Sequence, residues 1–298
     1  MPDASIPVDL LNPGQVFASL GFLEAADVLL GDAEGGFDWA DEANVRFQLR
    51  TKGNKNPFAQ VLAFLNEANP FAISPLEDVK ERDGTETRIQ PGLHPCRIRD
   101  DKGRLRHALL PIEISTANAT LRFDYWADLD SGRPILRLWT ATNGNSASIR
   151  LSKVHRSLRE AFSANPHLFM NPFNEPSPVE ANFRLELRRN WTALGAGFSP
   201  DKQNKSSTCV PIQVSTYPVV EMLAALALSN ARPVPTASEL KWGYAAWCGL
   251  LLPELARAAV SQAFLCTKDR RFWMFLEKPN DGGDLSIAYA TQDKETHA

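Results

Sequence analysis

The stretch NPGQVFASLGFLEAADVLLG, residues 12–31, carries the clearest structural signal in the chain. Pro13 suits the first position of a helix, because its missing N–H would have no partner there. Asn12 and Gln15 stand at the cap and third positions of a capping box, whose side chains satisfy backbone N–H groups at the helix start. The apolar residues that follow predict a helix over 13–30 that ends at a glycine. Its expected buried stripe consists of Val16, Leu20 and Leu23.

A predicted strand over 6–11 precedes this helix, and the segments GGFDWA and NVRFQLR follow it, which predicts a β-α-β-β unit. The same order recurs near the other end of the chain. There we expect a strand in ELKWGYAAWCGLLLP, a helix over 253–264, and strands in RRFWMFLEK and LSIAYAT. Ferredoxin-like and RNA-recognition-type sheets are built from such units. We therefore predict an α+β fold of antiparallel sheets made of ferredoxin-like β-α-β-β units, with helices packed on one face.

The middle of the chain contains further periodic segments. They predict helices over 57–68, 146–162 and 218–230, a hairpin over 119–142, an irregular segment over 74–104 and a strand over 180–191. The chain divides into an N-terminal α+β region, residues 1–110, and a basic region, residues 111–298, that ends in the second β-α-β-β unit. One continuous domain is the alternative interpretation.

Charge is distributed unevenly along the chain, although the formal net charge is only −3. Residues 1–50 contain nine Asp and Glu but only two Arg, whereas residues 131–210 contain eleven Lys and Arg against five Asp and Glu. Such asymmetry can mark a polyanion-binding half beside an acidic half that suits a protein partner. Simple clustering of surface charge is the alternative.

The composition excludes several classes of protein. No apolar run approaches the roughly 18–20 residues that a membrane-spanning helix needs, so we expect no membrane contact. The opening Met-Pro-Asp-Ala-Ser lacks the basic region of a secretory signal peptide. The four cysteines are widely spaced and form no C-x-x-C pair, which argues against a zinc knuckle or a disulfide scaffold. We therefore expect a protein of the reducing cytoplasm.

Motifs for catalysis and cofactor binding are missing from the sequence. It has no phosphate-binding loop, no dinucleotide-binding glycine motif, no nucleophile elbow and no helix-borne zinc pattern. His94 and Cys96 lack a third ligand at useful spacing. Asp128 and Asp130 lie at a predicted turn, where Asp is expected in any case. We therefore expect no metal, no cofactor and no enzymatic activity.

The predicted helix over 146–162 is amphipathic. Its apolar residues can face a core, and the remaining surface carries Arg150, Lys153, Arg156 and Arg159. A basic helix face suits phosphate backbones, because each Lys or Arg that neutralises a phosphate releases a condensed counterion. An ordinary solvated face is the alternative. His155 lies among these cations, where it would be either a solvated side chain or a base for RNA cleavage.

Two other segments could contact nucleic acid. The segment FSPDKQNKSST, residues 198–208, follows Arg188 and Arg189 and is rich in side chains that donate hydrogen bonds to phosphates and base edges. Its candidate contacts are Lys202, Gln203, Asn204, Lys205 and Ser206, although a disordered loop has the same composition. Arg188 and Arg189 are further candidate nucleic-acid-binding residues, which would support this loop electrostatically. At the start of the first helix, Asn12 and Gln15 could contact guide RNA or DNA at the positive helix end, with the capping role as the structural alternative.

Four blocks of the sequence carry a family resemblance. They are VDLLNPGQVFASLGFLEAADVLLGDAEGGFDW, RLWTATNGN, FRLELRRNWTALGAGFSP and YPVVEMLAALALSNARP. In this order they resemble proteins of subtype U (now G) type I CRISPR systems, and specifically the compact large-subunit family of the Cascade surveillance complex.

The resemblance implies a non-catalytic subunit at one end of a CRISPR RNA-guided complex. Such a subunit would bind target DNA near the protospacer-adjacent motif, guide RNA, or both. It would help open the duplex, contact other Cascade subunits and recruit the helicase-nuclease. Guide–target base pairing would supply most of the sequence specificity.

Two alternatives remain open at this point. The chain could be a guide-RNA-coating backbone subunit of the same complex. It could also be a guide-RNA-processing endoribonuclease in which His155 or His167 is the general base, which requires a reach to a ribose 2′-hydroxyl.

Overall fold

The structure is a computed structural model, and it describes residues 4–72, 97–99, 105–107, 112–124, 147–179, 182–188, 214–238, 240–263, 269–277 and 286–293. The helices among these residues are α1 (Pro13–Leu30), α2 (Pro57–Glu67), α3 (Ala147–Ala164), α4 (Pro218–Asn230) and α5 (Pro253–Val260). The first eight strands are β1 (Ala4–Pro7), β2 (Glu34–Asp38), β3 (Arg46–Arg50), β4 (Asn69–Ala72), β5 (Arg97–Arg99), β6 (Leu105–His107), β7 (Ile112–Ser115) and β8 (Thr120–Phe123). The others are β9 (Ser177–Val179), β10 (Val214–Thr216), β11 (Val234–Pro235), β12 (Lys241–Trp247), β13 (Asp269–Glu277) and β14 (Ser286–Gln292). The named strands pair antiparallel in small sheets, which confirms the predicted α+β class.

Helices α1 and α4 form the centre of the molecule. The residues of α1 from Pro13 to Ala26 are all buried, so the helix is covered on every side and not only along the predicted stripe. Gly21 permits this packing, because a Cβ built there would lie 2.1 Å from the carbonyl oxygen of Leu223 in α4. Gly14 likewise faces the backbone of Leu185. The close approach of α1 therefore depends on these two missing side chains.

The N-terminal β-α-β-β unit has the predicted element order. Its sheet has the order β1-β3-β2, and β3 runs antiparallel to both neighbours. This is a split β-α-β arrangement, the half-unit from which ferredoxin-like sheets are built. A ferredoxin-like fold would bring a later strand back to the edge beside β1. Strand β4 instead pairs with β7 in the sheet β4-β7-β8, so the described residues do not complete that pattern.

The C-terminal unit shares only its element order with the N-terminal one. Strands β12 and β13, which flank α5, pair directly with each other, and the sheet has the order β11-β12-β13-β14. In the N-terminal unit the strands on either side of α1 are separated by β3. The sequence pattern predicted the elements correctly in both places, but it contains no information on which strands become neighbours.

The two sheets are joined at β2. Gly35 and Leu251 exchange two backbone hydrogen bonds of 2.9 Å, and the indole N–H of Trp247 donates to the carbonyl oxygen of Gly35 at 2.9 Å. A single cluster of buried apolar side chains includes Phe22 from the first predicted region and Leu223 from the second. Residues on both sides of the predicted boundary at 110 therefore share one core.

Two predicted strands differ in the structure, the first being β1, which covers Ala4–Pro7 where a strand over 6–11 was predicted. Residues 182–188 are irregular where a strand was predicted, although Phe183 and Leu185 are buried as expected. Strand β8 pairs with β7 across a short turn, and residues 125–146, the expected partner half of the hairpin, lie outside the described residues. Within the segment over 74–104 that was predicted to be irregular, Arg97–Arg99 form strand β5, which pairs antiparallel with β6 just after that segment.

Candidate nucleic-acid interface

Helix α3 is amphipathic, as its sequence predicts. Leu151, Val154 and Leu158 are fully buried in the core. The hydroxyl of Ser157 donates to the carbonyl oxygen of Pro178 at 2.8 Å, which fixes the helix against β9. One face of α3 is therefore held rigidly, and this determines which side chains point outward.

The outward side of α3 is basic. Arg156 and Arg159 are exposed and Lys153 is half-buried. These residues are three positions apart, a spacing that makes side chains on a helix neighbours, so the cations form one continuous stripe. Glu160, the single acidic residue of the helix, lies beside them and is exposed. We call Lys153, Arg156 and Arg159 the basic stripe.

Arg150 does not belong to this stripe, contrary to the prediction. Only 5% of its surface is exposed, and its Nη1 donates to the carbonyl oxygen of Asn182 at 3.2 Å. The reason is its spacing, because position 150 lies four residues before Val154 and eight before Leu158, on the buried side of the helix. Arg150 anchors the segment 182–188 to α3.

His155 is also buried, so neither interpretation from the sequence describes it. Its Nε2 lies 2.6 Å from the carbonyl oxygen of Leu65 in α2, and the residue is 3% exposed. Burial lowers the pKa of His155, the hydrogen bond to Leu65 raises it, and the nearby charge of Arg159 lowers it further. A neutral ring that donates to Leu65 fits this environment. The side chain links α3 to α2 inside the protein.

Arg188 is held by contacts inside the protein. Its guanidinium donates to the side chain of Asn174, to the carbonyl oxygen of Phe173 and to the carboxylate of Glu186, with Nε 3.1 Å from Oε1. The same group lies 3.9 Å from the ring centroid of Tyr217. The loop over 198–208 that Arg188 was predicted to support lies outside the described residues, so this role stays a prediction. The other predicted contacts in this part of the chain, Arg189, Lys202, Gln203, Asn204, Lys205 and Ser206, lie outside the described residues.

The two candidate contacts at the start of α1 are buried. Asn12 is 1% exposed and makes no side-chain cap hydrogen bond; its Nδ2 donates to Glu186 instead. Gln15 is 4% exposed, and its Oε1 accepts from the backbone N–H of Asp9 at 2.8 Å. The predicted capping box is therefore wrong, because each side chain has a partner elsewhere. Both side chains are thus buried among the described residues, where they hold the start of α1.

A buried carboxylate that the sequence analysis missed organises the same region. Glu221, in the first turn of α4, is completely buried. It accepts hydrogen bonds from the backbone N–H groups of Phe183 at 2.8 Å and of Leu185 and Glu186 at 3.1 Å. A lone acidic residue in an otherwise apolar helix was the available signal, because a buried charge requires several donors. Glu221 and Glu186 together hold the segment 182–188 at the adjoining ends of α1 and α4.

Several carboxylates of the acidic N-terminal region form ion pairs in the folded protein, some of them with cations from distant parts of the chain. Asp32 pairs with Lys52, and the Glu42 carboxylate lies 2.8 Å from Nη2 of Arg270 in β13. Glu24 likewise pairs with Arg257, a residue from the other half of the chain. Counting charges by segment therefore overstates the separation of an acidic from a basic half.

Comparisons with known proteins do not add to these observations. No protein-family model, no curated protein and no solved structure matches this chain. Within the described ranges, no group of three or more His, Cys, Asp and Glu side chains is placed to hold a metal ion. In the same part of the chain, no helix combines the length and the apolarity that crossing a membrane requires.

Proposed function

We propose that the protein is a non-catalytic subunit of a CRISPR RNA-guided surveillance complex. It binds target DNA near the protospacer-adjacent motif, guide RNA or both, and it helps to recruit the helicase-nuclease. The resemblance of four ordered sequence blocks supports the assignment to this kind of complex. The structural observation that carries the nucleic-acid-binding part is the basic stripe of Lys153, Arg156 and Arg159 on the outer side of α3.

The geometry of the stripe suits a phosphate backbone. The buried face of α3 fixes the helix, so the cations are displayed from a rigid element and not from a loop. Neighbouring stripe residues are about 4.5 Å apart along the helix axis, at 1.5 Å per residue. Long Arg side chains can adjust over this spacing to follow a strand. Contacts of this kind position a nucleic acid without reading its sequence, which suits a complex whose specificity comes from base pairing.

Removing the exposed cations tests the proposal. We expect Arg156→Gln/Arg159→Gln to weaken binding of a target duplex or of a guide–target hybrid. The slope of log affinity against log salt concentration should become shallower by about 1.4–1.8, since each lost phosphate contact contributes about 0.7–0.9. Fluorescence anisotropy at several salt concentrations measures both quantities.

A matched control separates this effect from a change in net charge. Lys52→Gln/Arg122→Gln also removes two exposed cations, but these lie in a loop after β3 and in β8, outside α3. The control should retain wild-type affinity and salt slope. Equal behaviour of the α3 variant and the wild-type protein would show that the stripe does not bind nucleic acid.

Membership of the complex is tested separately by co-purification. Expressed with a guide RNA and the other subunits, the tagged protein should recover RNA of guide length. One copy per complex fits the proposed role, whereas several copies would favour the guide-RNA-coating backbone subunit. Recovery without RNA and without other subunits would contradict both.

A further inference from the structure

The C-terminal sheet has an outer face with aromatic side chains on neighbouring strands. In β13, Phe272, Met274 and Leu276 are buried, whereas the alternate residues Trp273 and Phe275 are only partly buried. Successive side chains of a strand point to opposite faces, so these two lie on the face away from the core.

The strand register extends this face across the sheet. Phe275 is directly opposite Lys241 of β12 on one side and Tyr289 of β14 on the other. The rings of Phe275 and Tyr289 are stacked, with centroids 4.5 Å apart and an angle of 12° between their planes. Nζ of Lys241 lies 4.3 Å from the ring centroid of Trp273 and 5.7 Å from that of Phe275. We call Lys241, Trp273, Phe275 and Tyr289 the aromatic ledge.

Sheet stability explains part of the ledge but not all of it. Trp273 covers Gly243 of the adjacent strand, where an added Cβ would lie 3.1 Å from its ring. The stacked Phe275 contributes to cross-strand packing in the same way. Tyr289, however, is 52% exposed at the end of this row, so much of its ring is open to solvent.

The ledge also presents a cation that is not part of an ion pair within the described residues. The contacts of Lys241 there are with the faces of Trp273 and Phe275, and no carboxylate takes part. A ring stack with an adjacent ammonium group matches two features of a single strand of nucleic acid, namely a flat base and a phosphate. A duplex does not offer this combination, because its bases are stacked on one another. The charge complementarity of Lys241 favours such a strand over an apolar protein surface.

We propose that the aromatic ledge binds single-stranded nucleic acid. Tyr289 stacks on an unstacked base and extends the existing Phe275–Tyr289 stack. Lys241 contacts a neighbouring phosphate. The inference rests on the proposed function in one respect, because a CRISPR RNA-guided complex is the expected source of the single strand. The aromatic ledge itself is a different site from the basic stripe of α3.

The test uses the purified full-length chain with labelled oligo(dT), oligo(U) and a duplex of equal length. Tyr289→Leu keeps an apolar side chain at the exposed position but removes the ring. We expect it to weaken binding of both single strands by about fivefold or more, in line with the loss of one stacked base. Tyr289→Phe, the matched control, should retain wild-type affinity because it keeps the ring. Duplex affinity should be the same in all three proteins.

A second substitution and an ultraviolet cross-link test the two parts of the site. Lys241→Gln should weaken single-strand binding and reduce the salt slope by about 0.7, the contribution of one phosphate contact to a single strand. Cross-linking to oligo(U) followed by peptide mass spectrometry should identify the peptide that contains Tyr289. Wild-type affinity for single strands in Tyr289→Leu, or no binding of single strands by the wild-type protein, would overturn the proposal.

The same assay separates failure of the ledge from failure of the proposed function. If Arg156→Gln/Arg159→Gln weakens binding and Tyr289→Leu does not, the ledge proposal is wrong and the basic stripe stands. If only Tyr289→Leu weakens single-strand binding, the ledge stands and the stripe assignment fails. If Tyr289→Leu changes the molecular mass in light scattering but not the affinity for nucleic acid, the ledge is a protein-docking surface and the proposal is overturned.

Discussion

Glu24 of α1 and Arg257 of α5 form a bidentate ion pair. Nε of Arg257 lies 2.6 Å from Oε1 of Glu24, and Nη2 lies 2.6 Å from Oε2. Glu24 is 4% exposed, whereas the Arg257 side chain is 36% exposed. The pKa of Arg257 is raised, chiefly by this hydrogen bond, so the guanidinium group stays charged. The ion pair ties the central helix to the C-terminal unit.

Removing the arginine should destabilise the protein clearly. Arg257→Leu leaves the buried Glu24 carboxylate without this partner, and breaking a buried pair costs about 3–5 kcal/mol. The exposed side of Arg257 reduces this figure, and we expect about 1–3 kcal/mol in urea denaturation. Arg270→Leu is the control, because its partner Glu42 is largely exposed, and it should cost less than about 1 kcal/mol through the lost ion pair. Equal losses for the two variants would contradict the importance of the Glu24–Arg257 pair.

The contact of Gly21 with α4 predicts a second large effect. Alanine normally favours a helix over glycine by about 1 kcal/mol. Gly21→Ala should nevertheless destabilise the protein by about 2 kcal/mol or more, because its Cβ would collide with the Leu223 carbonyl and separate the central helices. Gly53→Ala, at an exposed position with no atom near the added methyl group, should change the unfolding free energy by less than about 0.5 kcal/mol. A stabilised Gly21→Ala variant would contradict the observed packing.

Local signals predicted the helices well. Proline at the first position and a glycine or proline beyond the last turn gave the bounds of α1 and α4, because these residues act on the backbone within one turn. The predicted strand over 180–191 was wrong for the opposite reason. Its alternating Phe183 and Leu185 are buried, but the backbone N–H groups bond to Glu221, which is far away in the sequence. The residue pattern of the segment 180–191 therefore could not show that its N–H groups bond to Glu221.

Helical spacing was sufficient to predict which cations of α3 are exposed and which are buried. Arg156 and Arg159 are exposed as expected, and the four-residue spacing from Arg150 to Val154 could have indicated that Arg150 is buried. The contacts of Arg188 with Phe173 and Tyr217 depend on how distant segments pack. The aromatic ledge likewise depends on strand register, which brings Tyr289 beside Phe275.

Burial of His155 predicts a pH-dependent contribution to stability. Because its pKa is lower in the folded than in the unfolded protein, the unfolded chain binds more protons at mildly acidic pH. The contribution is therefore complete above the unfolded pKa of about 6.5 and decreases as the pH falls towards the folded pKa. We expect His155→Gln, which keeps a donor for Leu65, to be destabilised at pH 8 and to approach the wild-type protein between pH 7 and 5.

Unfolding free energies from urea denaturation at pH 5, 6, 7 and 8 measure this effect. His167→Gln is the control, because His167 is exposed, and it should follow the wild-type pH dependence. A constant difference between His155→Gln and the wild-type protein across this range would show that His155 does not contribute to the pH dependence.

The hydrogen bonds of Glu221 predict that its substitution destabilises mainly the segment 182–188. Oε2 accepts from the N–H of Phe183, and Oε1 accepts from those of Leu185 and Glu186. In Glu221→Gln one of the two oxygens becomes an NH₂ group, so at least one buried N–H loses its acceptor. Such a loss costs about 1–3 kcal/mol, and more where the acceptor was charged.

Amide hydrogen exchange should locate this loss in the segment 182–188. We expect faster exchange of the amides of Phe183, Leu185 and Glu186 in Glu221→Gln, beyond the general acceleration that lower stability produces. Glu254→Gln is the control, since Glu254 also lies in the first turn of an apolar-faced helix but is exposed, and it should leave these amides unchanged. If amide exchange became faster by the same factor in α1, α4 and the segment 182–188, Glu221 would stabilise the whole fold and would not specifically hold this segment.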